Sequence, residues 1–143
     1  MAKFEGNEDF KRQKEVERLI ELSWHCKCLR IPYEYVLDNV CVRSSKVLAY
    51  TEIKVRNYLW SDHEAIFLSV NKIMMAQAIR KASEVPSYLV VSTRDGLVHW
   101  TTIDRTFKNL VAGPKKEKYP RDRHECEPSV LIPREEFNPL ATK

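Results

Sequence analysis

The chain has 143 residues, enough for one domain around a single core. Its 43% hydrophobic and 10% aromatic content is globular rather than disordered, and a net charge of +4 with a pI near 8.9 tilts mildly toward an anionic partner. No apolar run approaches the ~18 residues of a membrane span, and Met1–Asp9 lacks the apolar stretch of a signal peptide, so an intracellular, cytoplasmic protein is expected.

From Glu8 to Lys27 there is no Gly or Pro, and Val16, Leu19, Ile20 and Trp24 recur at helical spacing. The spacing predicts a helix, capped by Asn7 or Asp9. Glu17 falls beside Trp24 at the edge of the buried stripe, where a carboxylate can look into a cleft or simply be solvated. Cys28–Pro32 reads as a short edge strand. Tyr35–Val42 and Val47–Val55 are apolar-rich runs separated by Arg43-Ser44-Ser45-Lys46, which predicts a β-hairpin. After Arg56–Trp60, the run Ser61-Asp62-His63-Glu64 has the form of a capping box. It predicts a helix to about Ala82, with Phe67, Val70, Met74 and Ala78 as its buried stripe. Met74 and Met75 then serve as core filling, while Gln77 and Lys81, four apart, project together from the flank.

Val85-Pro86 ends that helix. Tyr88–Ser92 is suited to a buried strand, Arg94-Asp95-Gly96 to a turn, and Leu97–Thr101 to its partner strand, with His99 on the strand surface. From Arg105 to Arg123 there are seven Lys or Arg against two acidic residues, a basic arm able to track phosphates or simply to aid solubility. Glu127–Pro133 is a further edge strand, and Glu135-Glu136-Phe137 starts a short helical turn. There is no internal repeat.

The chemistry concentrates on the hairpin. Glu52 and Lys54 are two apart in a strand and share a face, while Ile53 and Val55 point to the other. A two-residue Ser44-Ser45 turn pairs Asp38 with Thr51; a loop one residue longer, or a bulge, pairs Asp38 with Glu52 and puts both carboxylates on one face. Two adjacent carboxylates repel, and a divalent cation relieves that repulsion. A neighbouring lysine can polarise water or stabilise a negative oxygen. An ordinary exposed strand pair is the plain alternative for Glu52 and Lys54.

The cysteines are Cys26, Cys28, Cys41 and Cys126. His25, Cys26, Cys28, His124 and Cys126 offer five ligands for a zinc-stabilised binding protein, but Cys-x-Cys spacing departs from the paired Cys-x-x-Cys of common structural sites. Free thiols are the default expectation inside a cell.

Asp38, then Glu52-x-Lys54 at the end of the following strand, then a helix and an apolar strand, resembles the PD-(D/E)xK nuclease superfamily over about residues 10–103. Val16-Glu17-Arg18 resembles the helix that supplies an extra carboxylate in junction resolvases, and Val85–Val91 resembles the last core strand of several members. Leu37 stands where the superfamily's name has proline, and Gln77 is followed by Lys81 rather than the tyrosine of the Gln-x-x-x-Tyr branch. The resemblance implies a restriction-endonuclease-like α/β (α+β) core, a mixed β-sheet flanked by helices in the order α-β-β-β-α-β-β. The whole chain would be one nuclease-like domain, with its core at about 8–103 and a basic extension at 104–143.

The resemblance further implies a DNA endonuclease of phage or mobile-element type, junction-resolvase-like in its selectivity, acting as a homodimer. Asp38, Glu52 and the Ile53 carbonyl would hold Mg²⁺ or Mn²⁺, and Lys54 would orient or activate water. Glu17 and Gln77 would support the site. Arg56, Lys72, Lys81, Lys115, Lys116 and Lys118 are candidates for phosphate contacts. A non-catalytic nucleic-acid-binding module on the same fold is the competing expectation.

Overall fold

A computed structural model describes residues 7–32, 37–112 and 128–140. Helix α1 spans Asn7–Trp24, with Glu8 and Asp9 in its first turn, where negative charge suits the helix dipole. Val16 and Ile20, one turn apart, are its fully buried residues toward the sheet. Strand β1 (Lys27–Arg30) follows and is indeed an edge strand. Strands β2 (Asn39–Arg43) and β3 (Lys46–Val55) form the predicted hairpin, although Tyr35 and Val36 lie outside the described residues.

The hairpin turn is the two-residue one. Arg43 pairs with Lys46, and Ser44 and Ser45 both have positive φ, 53° and 65°, as a type I′ turn demands. L-residues in that region cost about 1–2 kcal/mol relative to glycine. Ser45→Gly is therefore expected to raise the urea midpoint, by roughly 1 kcal/mol of stability, with cleavage activity unchanged. Unfolding curves for the two proteins check it.

That turn alone would pair Asp38 with Thr51. It does not, because the register shifts beyond it: Val42 faces Val47, but Cys41 faces Ala49. Leu48 is the extra residue of a β-bulge. From there Val40 faces Tyr50 and Asn39 faces Thr51, so the next position, Asp38, comes opposite Glu52.

The region after β3 departs from expectation. Instead of one helix from Ser61 to Ala82, there is a 3-10 turn at Trp60–Asp62, strand β4 (Ala65–Ser69), and helix α2 (Val70–Ser83). Ile66 and Leu68 alternate inward along β4, a two-residue period that the helical reading overlooked. The helix is started not by Ser61 but by Ser69, whose Oγ accepts from the Asn71 N–H at 3.1 Å. Its buried residues are Ile73 and Ala76. Met74 is 58% exposed and Met75 also faces outward, so neither fills the core, and Phe67 is exposed on β4.

Strands β5 (Ser87–Ser92) and β6 (Val98–Thr102) fall where the sequence placed them. Strand β5 runs parallel to β3 and is buried on both faces, with α2 of the β3–β5 connection covering one and α1 the other. Three further strands follow among the described residues: β7 (Leu110–Ala112), β8 (Pro128–Pro133) and β9 (Asn138–Pro139), with a 3-10 turn at Arg134–Glu136. The main sheet has the order β1-β2-β3-β5-β6-β9, mixed in sense; β4, β8 and β7 form a second, three-stranded sheet. Strand β8 is thus the middle strand of that sheet, not an edge.

Two cores result, one on each side of β3 and β5. On one, Val16 and Ile20 of α1 meet Cys41, Ala49, Ile53 and Val90. On the other, Ile73 and Ala76 of α2 meet Leu89, Val91, Leu68 and Ile132. The packing runs well past residue 103, since Ile132, Phe137 and Leu140 are all buried.

Candidate active site

The carboxylate pair is a product of backbone placement. The Asp38 N–H donates to the Thr51 carbonyl at 3.0 Å, and its carbonyl accepts from the Ile31 N–H at 2.9 Å. These bonds fix Asp38 between its neighbours at the head of β2. Its side chain reaches across the hairpin, where Oδ2 accepts from the Ile53 N–H at 2.9 Å. Glu52 is only 5% exposed. Burial and the nearby Asp38 charge push its carboxyl up to about 7, against the opposing pull of Lys72 and Lys54. Lys54, two residues on, is pulled down to about 8 by burial, then by Arg56, with Glu52 and Asp38 opposing.

Lys72, in the first turn of α2, completes the cluster. Its Nζ lies 3.1 Å from Glu52 Oε1, an ion pair that offsets part of the cost of burying that carboxylate. Two carboxylates and three cations (Lys54, Arg56 and Lys72) therefore share one face at the end of β3. A buried carboxylate beside a second one is a set of hard oxygen ligands that fits a divalent cation.

The other nominated residues have different company. Glu17 Oε2 accepts from Arg30 Nε at 3.0 Å and from Asn39 Nδ2 at 3.2 Å. Asn39 alternates with Asp38 along the strand, so Glu17 is held on the α1 side of the sheet. Gln77 Nε2 donates to the Arg105 carbonyl at 2.9 Å, tying α2 to the segment after β6. Lys81 is exposed on α2. Lys72 lies beside Glu52, at the edge of the carboxylate pair. Lys115, Lys116 and Lys118 lie outside the described residues, as do His124 and Cys126. His99 is half-buried and stacked on Trp60, ring centroids 3.8 Å apart.

Sequence reasoning missed Lys72 as a partner of Glu52, because the helix was started eight residues early and its first turn was misplaced. It also missed Asn39 and Arg30 as the residues that hold Glu17. The Asn next to Asp38 was the available signal.

A family model described as "Phage putative PDDEXK endonuclease" matches residues 1–140. The chain belongs to this phage PDDEXK endonuclease family. Among solved structures, this PDDEXK endonuclease chain is similar to the 1.6 Å structure of Archaeoglobus fulgidus Hjc, a Holliday junction resolvase from an archaeal hyperthermophile. The TM-score is 0.48 at 18% identity, over 68% of this chain and 78% of that one. No curated protein gives a significant match. Among the described residues of the PDDEXK chain, no helix is long and apolar enough to cross a membrane.

Proposed function

We propose that the protein is a divalent-metal-dependent DNA endonuclease built as a single nuclease domain. In this reading Asp38, Glu52 and the Ile53 carbonyl hold Mg²⁺ or Mn²⁺. The observation that carries it is the bulge at Leu48, which sets Asp38 opposite the buried Glu52. When bound, the cation would neutralise the paired carboxylates and stabilise negative charge developing on the phosphodiester.

The protein groups divide the remaining work. Lys54 Nζ holds the attacking water, and a pKa near 8 lets it give or take a proton at that atom close to neutral pH. Water attacks phosphorus, the P–O bond to the leaving sugar breaks, and the leaving oxygen takes a proton. Arg56, beside Lys54, attracts the scissile phosphate. Lys81 and the basic arm, with Lys115, Lys116 and Lys118, contact more distant phosphates without reading sequence. Glu17 and Gln77 support the site from behind, Glu17 through Asn39 and β2, Gln77 through α2. Selectivity for DNA shape, as on a branched substrate, and a homodimer that presents two sites to two strands belong to the same proposal.

The test is cleavage of supercoiled, linear, branched and single-stranded DNA with Mg²⁺, Mn²⁺ or chelator. Nicking of at least one substrate, abolished by chelator, is expected, with branched DNA cut fastest. DNA binding with no cleavage in either metal would favour the non-catalytic module instead.

A further inference from the structure

The three described cysteines are brought to one point. Cys26 and Cys28 are two apart at the entrance to β1 and share a face. Cys28 is the direct cross-strand partner of Cys41 on β2. As a result the Sγ atoms of Cys26, Cys28 and Cys41 all lie within 4.8 Å of one another. The Cys28–Cys41 sulfur separation is 3.9 Å. Two sulfurs bound to one zinc at about 2.3 Å, at a tetrahedral angle, stand about 3.8 Å apart. A disulfide would need about 2.05 Å and would leave the third thiol unused. Cys41 is 1% exposed, while Cys26 and Cys28 are half-buried, so an ion has a way in and a sheltered place to sit.

We propose that Cys26, Cys28 and Cys41 form a structural site for a soft, thiophilic divalent cation, of which zinc is the best fit, distinct from the carboxylate site. Binding forms three metal–sulfur bonds and releases the three thiol protons to solvent; the fourth tetrahedral position goes to water or an outside ligand. The site differs from a His25, Cys26, Cys28, His124 or Cys126 set in taking Cys41, which lies thirteen residues beyond Cys28 and joins only through strand pairing. Its position gives it a role. Cys28 Sγ donates to the Glu17 carbonyl at 3.7 Å, and the Cys26 N–H donates to the Glu21 carbonyl at 3.3 Å. The Cys28 N–H donates to Glu21 Oε2 at 2.9 Å. An ion there would clamp the last turns of α1 to β1 and β2, three residues along the chain from Asp38.

The experiment uses the full chain, purified with reducing agent, stripped with chelator and titrated with Co²⁺ and Zn²⁺ alone. One Co²⁺ per chain with a thiolate-to-metal charge-transfer band is expected, displaced by Zn²⁺, which should also raise the melting temperature. Glu52→Ala should keep the band, which separates this site from the carboxylates. The double variant Cys26→Ser, Cys28→Ser should lose the band and weaken zinc binding by about 100-fold or more. Should that variant fail to fold, alkylation of the parent chain decides: Zn²⁺ should protect Cys26 and Cys28 relative to the metal-free chain. Absence of the band, zinc affinity unchanged by the double substitution, no protection of Cys26 and Cys28, or a Cys28–Cys41 disulfide in place of the ion would overturn the proposal.

Discussion

Glu52→Ala is expected to lower the cleavage rate by about three orders of magnitude or more while DNA affinity holds or rises. The two effects have one cause. Removing Glu52 leaves Asp38 as the only acidic side chain of the pair, and its Oδ2 is already engaged by the Ile53 N–H. One carboxylate with one occupied oxygen is a poor site for a divalent cation. Meanwhile Lys72 loses its partner at 3.1 Å, and Lys54 and Arg56 remain. The face then carries three cations against one carboxylate, instead of three against two, and attracts a phosphate backbone more strongly. Rates from plasmid relaxation and affinities from fluorescence anisotropy at fixed salt measure both. A variant that cuts like the parent would remove Glu52 from the site.

The second large effect concerns stability in the absence of divalent metal. Stability should fall as pH rises from about 4.5 to 7, stay low to about 8, and recover toward 10.5. Glu52 has its carboxyl raised from 4.5 to about 7, chiefly by burial. Over that window the folded state binds more protons than the unfolded chain, so stability drops with increasing pH, by on the order of 3 kcal/mol. Lys54 is lowered from 10.5 to about 8, again chiefly by burial. Between those values the unfolded chain binds more protons, so stability rises with pH. The trough between them marks the range in which both groups are charged and desolvated. Added Mg²⁺ should fill it by binding the folded state. Glu52→Gln should flatten the acid limb and, by removing a charge that raises Lys54, start the alkaline limb at lower pH. Urea unfolding across pH, with and without Mg²⁺, tests this; a flat profile in the parent would argue against a strained, buried pair.

What the sequence revealed and what it concealed follow the range of the interactions. Helix α1, β3 and β5 carry their pattern within one element: Val16 and Ile20 one turn apart, the buried run from Leu89 to Val91, and Pro86 ahead of it. The stretch Ala65–Ser69 carries less. Five residues with Ile66 and Leu68 inward fit a strand, but equally the start of a helix, until a partner strand is supplied. That partner, β8, lies some sixty residues downstream, and nothing local announces it. The same limit hid Lys72, whose direction depends on where α2 begins, and Cys41, whose neighbours come from another strand. Asp38, Glu52 and Lys54 were readable as residue types at a spacing. Their juxtaposition was not, because the two-residue turn taken alone predicts the other pairing. Only the bulge reverses it.

That bulge makes the site depend on the parity of the hairpin. Thirteen residues separate Asp38 from Glu52, and removing or adding one on either strand, Leu48 excepted, shifts the pairing and rotates one acid to the far side of the sheet. Substitutions at the tip leave the count alone and are limited instead by the positive φ at Ser44 and Ser45. A single-residue deletion in either strand is harmful unless it falls on Leu48, which has no partner, or an insertion elsewhere in the hairpin restores the register. Kindred chains without an extra residue at the Leu48 position can therefore keep the same two-residue tip and the same acid pair, with one residue fewer between the acids.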